Sequence, residues 1–309
     1  MTLREPRPSD LPDILAINAA ALANYAQAQF THPFRHLHPA AFECAMTHGP
    51  REKLAAAPDG TSFNIVLEDP ETHSVVAWGF WRRNHGPAFT SKIDGYRALA
   101  ARGPHVQDAS DLAIITPSGG PIASAPNTNI NININIDSGN SNGGVGEQAK
   151  PRELEMPAEV SPSASPARVR LSKICAANDA LAHFAHPHWY LSHLLVHPAH
   201  KRKGYGTTLT LWGMQRARAD GLPCLLTASI EGEKLYSRLG WRVIGRRTLP
   251  RLEDMPEAER AMEERLLGKA VVEEQFTALP PSVMAWGDRV EDYAVLEADG
   301  PDRGPQLTN

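Results

Sequence analysis

Residues 189–211 have the sequence WYLSHLLVHPAHKRKGYGTTLTL, and this stretch decides the fold. Its first eight residues form an apolar run rich in aromatic and branched side chains, which predicts a buried strand. Pro198 ends the strand, and three consecutive cations follow it. Apolar residues then recur at roughly helical spacing, which predicts a helix over residues 207–220. A strand, a basic turn that contains glycine and a helix N-terminus therefore follow one another directly.

This order of elements is suited to binding an anion. The first N–H groups of a helix have no partner inside the helix, and the peptide dipoles add partial positive charge there. Gly204 and Gly206 lack the Cβ atoms that would keep a phosphate away from these N–H groups. The turn therefore indicates a phosphate or pyrophosphate site. Spacing alone leaves an ordinary turn with solvated lysines as the alternative.

The order of residues from Val196 to Gly206 resembles the acyl-CoA loop of the GNAT superfamily of N-acyltransferases. The family pattern is a strand ending in Val-x-Pro, then Gln or Arg, two residues, and Gly-x-Gly or Gly-x-Ala. Lys201 stands here at the Gln/Arg position, and it carries charge but lacks the planar fork of arginine. The resemblance implies that this loop holds the pyrophosphate of acetyl-CoA, largely through backbone N–H groups. The residues to which it assigns cofactor binding are Lys201, Arg202, Lys203, Gly204, Tyr205, Gly206 and Thr207.

A second stretch, residues 228–241 (ASIEGEKLYSRLGW), resembles another part of the same family. GNAT enzymes often carry a strand ending in Ala-Ser, followed by Leu-Tyr-x-x-Leu-Gly-Phe, and Trp241 replaces the Phe here. The resemblance implies that Tyr236 donates a hydrogen bond or a proton to the thiolate leaving group. Since Tyr236 lies at helical spacing from two leucines, packing alone is its other possible role. The same resemblance places Ser229 in the cofactor site.

The strand before the loop has a further role that the resemblance implies. In GNAT proteins this strand splays from its neighbour, and its exposed backbone groups bond the pantetheine and the thioester carbonyl. The residues concerned are Leu194, Leu195 and Val196.

A general base is not assigned. Strand alternation places Tyr190, Ser192, Leu194 and Val196 on one face and His193 on the other, unless a bulge intervenes. We therefore expect His193 to be a packing or buried polar residue. A water relay from backbone carbonyls is the default for accepting the proton of the amine.

Composition and charge narrow the class of protein. The net charge of −4 gives no global basic field, so a general nucleic-acid binder is not expected. The three cysteines form no C-x-x-C, which fits a reducing compartment. Six histidines crowd residues 183–200 without a carboxylate or cysteine in the pattern, so no metal site is expected. Without a signal peptide or a run of about 20 apolar residues, we expect no membrane span and a cytoplasmic location, with the nucleus left open.

Periodicity and turn residues outline the other elements. The predicted strands are 3–7, 63–68, 74–82, 224–229, 241–248, and a last one at 283–286 or 293–296. The predicted helices are 10–28, 40–56, 233–239 and 256–269. With the resemblance, they predict an α/β (α+β) GNAT acyl-CoA N-acyltransferase fold, a mixed central sheet flanked by helices with a long low-complexity insertion.

The insertion is marked by its composition. Residues 116–168 are rich in Asn, Ser, Gly and Pro, so disorder is expected there, including the Asn-Ile alternation at 130–136. We predict one GNAT domain over 1–297, with a core of 1–84 and 185–297 interrupted by an insertion at 85–184. The flanks of the insertion, 88–112 and 170–184, are each expected to carry a short helix. Residues 298–309 are predicted to be a loose tail.

The resemblance implies an N-acetyltransferase that moves an acetyl group from acetyl-CoA to a primary amine by direct attack. It gives neither the acceptor nor the oligomeric state. A non-catalytic acyl-CoA-binding module, acting as a sensor or scaffold, is the alternative, because Lys201 departs from the family pattern and no base is assigned.

Overall fold

A computed structural model of the protein describes residues 1–22, 25–55, 59–101, 161–278 and 280–287. The strands are β1 (Thr2–Arg4), β2 (Ser62–Glu68), β3 (Val75–Asn84), β4 (His188–Val196), β5 (Cys224–Ala228), β6 (Arg242–Arg246) and β7 (Ser282–Trp286). The helices are α1 (Leu11–Leu22), α2 (Ala26–Thr31), α3 (Pro39–Ala55), α4 (Gly86–Ala101), α5 (Pro166–His183), α6 (Tyr205–Asp220), α7 (Ile230–Arg238), α8 (Glu257–Leu267) and α9 (Lys269–Gln275).

Within the described residues, the seven strands form one sheet in the order β1-β2-β3-β4-β5-β7-β6. Strands β4 and β5 are parallel, and every other neighbouring pair is antiparallel. Helix α6 makes the crossover that a parallel connection requires. The prediction of a mixed sheet flanked by helices is therefore confirmed.

Helices cover both faces of the sheet. On one face, which we call the α6 face, side chains such as Leu191 and Leu226 pack against α6 and α7. On the opposite face, which we call the α5 face, α1 packs on β2 and β3. Phe184, at the end of α5, packs there beside Tyr190 and Leu225. Helices α4 and α5 also pack on each other through Phe89, Ile93 and Tyr96 of α4 and Ala177 and Ala180 of α5.

A missing side chain lets α6 approach the sheet closely. A Cβ atom on Gly213 would lie 2.2 Å from the ring of Trp81, which is fully buried. The Trp81 indole N–H donates to the backbone carbonyl of Leu209 at 3.2 Å. The same ring therefore also fixes the distance between α6 and the sheet. This contact sets where the first turn of α6 lies relative to β4.

The helices of the insertion flanks are built into the core. Arg168 of α5 is fully buried, and its Nε donates to Glu263 of α8 at 2.8 Å. Its guanidinium lies 5.1 Å from the ring centroid of Phe30 and 5.0 Å from that of Phe276. Helices α2, α5, α8 and the segment after α9 therefore meet at one buried cation.

Most predicted elements coincide with observed ones, and the differences are local. The helix expected over 10–28 divides into α1 and α2. The helix expected over 256–269 ends at Gly268, where φ is +91°, and the unpredicted α9 follows. Both flanks of the insertion carry the expected helices, as α4 and α5.

Some predictions for the insertion and the tail concern residues that the structure does not describe. The last eight residues of the stretch 116–168 lie within the described part and include the start of α5. Residues 116–160, with the Asn-Ile alternation, lie outside it, as do the alternative last strand 293–296 and the tail 298–309. Strand β7 corresponds to the first alternative, 283–286. None of the described helices is long and apolar enough to cross a membrane.

Candidate active site

The parallel strands β4 and β5 separate in the middle of the sheet. They pair at only three positions, and the last pair is Leu191 with Leu226. Beyond it, β4 continues to Val196 and β5 to Ala228. Leu194, Leu195 and Val196 pair with β3 on one side, and no described strand pairs with their other edge. We call this opening the split.

A bulge in β4 changes which side chains face the split. Phe80 pairs with His193 and Trp81 with Leu191, so Ser192 is the extra residue. The bulge shifts the alternation by one, and the face assignment made from the sequence is therefore wrong. His193 shares the α5 face with Tyr190 and stacks on Trp78 at 5.4 Å. Leu194 and Val196 lie on the α6 face, with Leu191.

The turn after β4 has the geometry of an anion-binding loop. Lys201, Arg202, Lys203 and Gly204 are exposed. Arg202 and Gly204 adopt left-handed conformations, with φ of +66° and +82°. Alternating backbone conformations of this kind turn successive N–H groups toward one point. Gly204 is the N-cap of α6 and has no side chain to occupy the first N–H groups of the helix, so they remain available.

The start of α6, the open part of β4 and helix α7 meet at one place. A Cβ atom on Gly206 would lie 3.3 Å from Leu235 Cδ2 and 3.6 Å from Leu194 Cδ2. Glycine at this position therefore lets the loop backbone come close to both the split and α7. The structure thus brings together the loop, β4 and the helix that carries Tyr236.

Tyr236 is buried, with 7% of its surface exposed, and its ring centroid lies 5.7 Å from that of Trp241. Burial raises the pKa of its hydroxyl, and nearby Tyr190 raises it further. The phenol is therefore protonated at neutral pH and can donate a proton or a hydrogen bond. Both expected roles, packing and donation, fit this environment.

Ser229 has a structural role at the start of α7. It is the N-cap of this helix, and its hydroxyl oxygen accepts a hydrogen bond from Gly232 N–H at 3.1 Å. Its hydroxyl hydrogen is not needed for this bond. Cofactor binding by Ser229 stays a prediction.

The split opens on the α5 face into a small cavity of about 60 Å³. Tyr190 and Thr227 form the wall next to the split, with their hydroxyl oxygens 3.4 Å apart. The charged lining residues in the described part of the chain are Arg82, Lys92, Asp179 and Arg247. No local sequence signal indicates this cavity, because these residues come from β3, α4, α5 and the segment after β6.

The two histidines of β4, His188 and His193, are held neutral. Burial lowers the pKa of His188 to about 4, and His188 Nδ1 is 2.6 Å from the carbonyl oxygen of His186. Burial, together with Lys53 and Arg82, lowers the pKa of His193 well below its ordinary value. Neither histidine is therefore a strong base at neutral pH. No group of three or more His, Cys, Asp or Glu side chains in the described residues is arranged to hold a metal ion.

Residues 173–241 match the sequence model of the acetyltransferase (GNAT) family. The matched segment contains most of α5, the split, the basic loop and α7. Both motifs lie within this segment, so the match confirms their resemblance to that family. Comparison with curated protein sequences gives no match.

Several solved structures of acetyltransferases align with most of this chain at low similarity. A protein described as "histone acetyltransferase HPA2 and related acetyltransferase", from Corynebacterium glutamicum, is 15% identical, with a TM-score of 0.44 over 93% of this chain and 95% of its own. The mosquito arylalkylamine N-acetyltransferase like 5b is 14% identical, with a TM-score of 0.47 over 92% and 98%. The polyamine N-acetyltransferase of Drosophila melanogaster is 14% identical, with a TM-score of 0.42 over 92% and 97%. At such low similarity, the function proposed below rests on the residues of the site.

Proposed function

We propose that this protein is an N-acetyltransferase that transfers the acetyl group of acetyl-CoA to a primary amine by direct attack. The observation that carries the proposal is the split between β4 and β5, which has the basic loop and the start of α6 beside Leu194 and Leu235. Helix α7, which carries Leu235, also carries Tyr236. The exposed cations and the left-handed glycine of the loop fit a diphosphate, because anions bind at helix N-termini with free N–H groups. The open edge of β4 fits the amide-containing pantetheine arm, which can bond backbone groups as a strand would.

The chemistry follows from this placement. The nitrogen of the neutral amine attacks the thioester carbonyl carbon, the N–C bond forms and the C–S bond breaks. Backbone N–H groups on the open edge of β4 stabilise the negative charge that develops on the carbonyl oxygen. Tyr236 donates a hydrogen bond or a proton to the departing thiolate. The proton of the amine passes to water, and water returns a proton to the Tyr236 phenolate where the phenol has given one up. The buried phenol suits this role because it is protonated until the sulfur acquires charge.

The test is a thiol-release assay with acetyl-CoA and a panel of amines. The panel contains polyamines, amino acids, arylamines, aminoglycosides and peptides with free N-termini or lysines. Release of CoA that depends on both the protein and one class of amine supports the proposal. If acetyl-CoA binds but no amine releases CoA, the protein is instead an acyl-CoA-binding module.

That alternative has two observations in its favour. Lys201 replaces the Gln or Arg of the family pattern, and the two histidines of β4, His188 and His193, are poor bases. A sensor or scaffold needs only the cofactor site. Acetyl-CoA binding measured by calorimetry, alongside the release assay, separates the two functions.

A further inference from the structure

We propose that the amine acceptor carries a carboxylate, which binds Arg82, Lys92 and Arg247 in the cavity on the α5 face of the split. The inference rests on the function proposed above and specifies its acceptor. It predicts an enzyme for amino acids or similar amino-carboxylates rather than for polyamines or arylalkylamines.

The position of the cavity is the first argument. Tyr190 and Thr227 both line it, and Thr227 directly follows Leu226, the last β5 residue paired with β4. A ligand in the cavity therefore lies next to the split, on the face opposite α6 and its basic loop. An acceptor bound there would reach the thioester from the side that the cofactor does not occupy.

The charges of the cavity are the second argument. Its described lining has three basic side chains, Arg82, Lys92 and Arg247, and one carboxylate, Asp179. A site for a cationic polyamine needs carboxylates that are available to an ammonium group. This lining instead has more basic side chains than carboxylates, which suits an anionic group of the ligand.

The carboxylate of Asp179 is already engaged. Its Oδ2 accepts from Arg247 Nε at 2.7 Å, and its Oδ1 accepts from the backbone N–H of Thr248 at 2.8 Å. Asp179 lies in the cavity wall and is 2% exposed, and its carboxylate holds the Arg247 guanidinium in place through this bond. An acidic group of the ligand can therefore use the remaining donors of a positioned guanidinium.

The cations of this face lie close enough to affect one another. Burial, and then the charge of Arg82, lowers the pKa of Lys92 to about 7. The same two causes, in the same order, lower the pKa of Lys53 to about 7. Lys53 and Arg82 lie over the ring of Phe80, at 5.6 and 5.8 Å. A bound carboxylate would relieve this crowding of positive charge, because an opposite charge nearby favours the protonated amine.

The remaining surface favours a small ligand. Phe89, Tyr96 and Phe184 supply aromatic walls, and the space of about 60 Å³ suits one small polar group rather than a peptide. We infer that the carboxylate enters this space, while the amine of the same molecule stays at the split near Tyr190.

Matched pairs of amines test the inference. Each amino acid is compared with its decarboxylated form, as in tyrosine and tyramine, tryptophan and tryptamine, lysine and cadaverine, and arginine and agmatine. We expect kcat/KM in the thiol-release assay to be at least about tenfold higher for the preferred amino acid than for its decarboxylated partner. Equal or better turnover of the decarboxylated amines overturns the inference and leaves the N-acetyltransferase proposal standing.

A binding experiment covers the case in which no amine is turned over. The protein saturated with CoA is titrated with N-acetyltyrosine and with N-acetyltyramine by calorimetry. Tighter binding of N-acetyltyrosine supports the carboxylate site without catalysis, and tighter binding of N-acetyltyramine, or binding of neither, overturns it. Failure of the proposed function and failure of this inference therefore give different results.

Two lysine variants assign the site. Lys92→Met should raise the KM or the dissociation constant for the amino acid at least about tenfold. The same constant for the decarboxylated partner should stay unchanged. Lys92→Arg should retain the preference. Lys173→Met is the matched control, because Lys173 is a half-buried lysine of α5 that does not line the cavity. An unchanged preference in Lys92→Met, with its thermal unfolding intact, contradicts the site.

Discussion

Leu191 and Leu226 form the last pair between the parallel strands β4 and β5, and beyond this pair the two strands have no described ladder. The hydrogen-bonding groups of the open part of β4 are consequently directed into the interior of the sheet. Backbone groups in such a place need partners, which an amide-containing ligand can provide. The site is thus built mainly from main-chain groups, and only a few side-chain changes can test it.

The first prediction concerns the proposed acid. Tyr236→Phe should lower kcat at least about tenfold, because the thiolate loses its proton donor. Binding of acetyl-CoA and the melting temperature should change little, since the ring and its packing against Trp241 are retained. The measurement is steady-state thiol release beside calorimetric titration and thermal unfolding. An unaltered kcat would leave Tyr236 with a packing role only.

The second prediction concerns the loop glycine. Gly204→Ala places a side chain on a residue with φ of +82° and should cost roughly 1–2 kcal/mol of stability. It should also weaken CoA binding at least about tenfold, because the first N–H groups of α6 are displaced from the diphosphate. Calorimetric titration with CoA measures the affinity, and urea unfolding measures the stability.

The opposite end of the same helix offers a matched control. Gly221 is the C-cap of α6, with φ of +64°, and a Cβ atom there meets nothing within 4 Å, as at Gly204. Gly221→Ala should therefore cost similar stability without weakening CoA binding. If both variants lose affinity equally, the loop is not a diphosphate site and the effect comes from the helix as a whole.

The elements that could be predicted from the sequence are those whose signals are local. The hairpin expected at 63–68 and 74–82 is present as β2 and β3, because alternating or continuous apolar runs bounded by turn residues specify strands. The basic loop was recognisable for the same reason, since its glycines and cations are contiguous. The order of β7 between β5 and β6 was not predictable, because pairing between distant segments decides it.

The bulge and the cavity show where local signals end. Ser192 is extra only relative to the partner strand β3, so strand alternation placed His193 on the wrong face. Arg82, Lys92 and Arg247 are far apart in the chain, and none belongs to a motif. Lys92 also lies in a stretch whose sequence predicted an insertion, whereas α4 and α5 pack on the sheet.

The third prediction tests how α6 is positioned. Gly213→Ala should cost at least about 1–3 kcal/mol, because its Cβ would overlap the ring of buried Trp81. Gly95→Ala is the control. A Cβ on Gly95, which is also within a helix, meets nothing within 4 Å, so alanine there should stabilise by about 0.5–1 kcal/mol. Urea unfolding of both variants measures this contrast, and equal effects would contradict the close contact between α6 and Trp81.

The fourth prediction concerns the buried ion pair between α5 and α8. Glu263→Leu or Arg168→Met should each cost roughly 3–5 kcal/mol, because one charge is left without its partner in a buried place. The double variant Arg168→Met/Glu263→Leu should recover much of that loss, since it leaves no buried charge. A double-mutant cycle from urea unfolding gives the coupling energy, and purely additive losses would contradict a direct pair.

The fifth prediction follows from the lowered pKa of Lys92, about 7 in the folded protein against an ordinary value of 10.5. Between these two values the unfolded chain binds more protons than the folded one. The free energy of unfolding that depends on Lys92 should therefore rise as the pH increases from about 7 toward 10. Lys92→Met removes this contribution, so the variant should be more stable than the parent protein at pH 7, with the difference shrinking toward pH 10.

Urea unfolding of both proteins at several pH values from 6 to 10 isolates this contribution, because all other titrating groups are common to the two. Lys269→Met, at an exposed position of α9, should give a curve parallel to that of the parent. Adding the preferred amino acid together with CoA should stabilise the parent more than the Lys92→Met variant, since the carboxylate pairs with the protonated amine. If the free energy of unfolding of Lys92→Met and of the parent protein changes with pH in the same way, Lys92 is solvated. That result would rule out a buried Lys92 amine with a lowered pKa in the cavity.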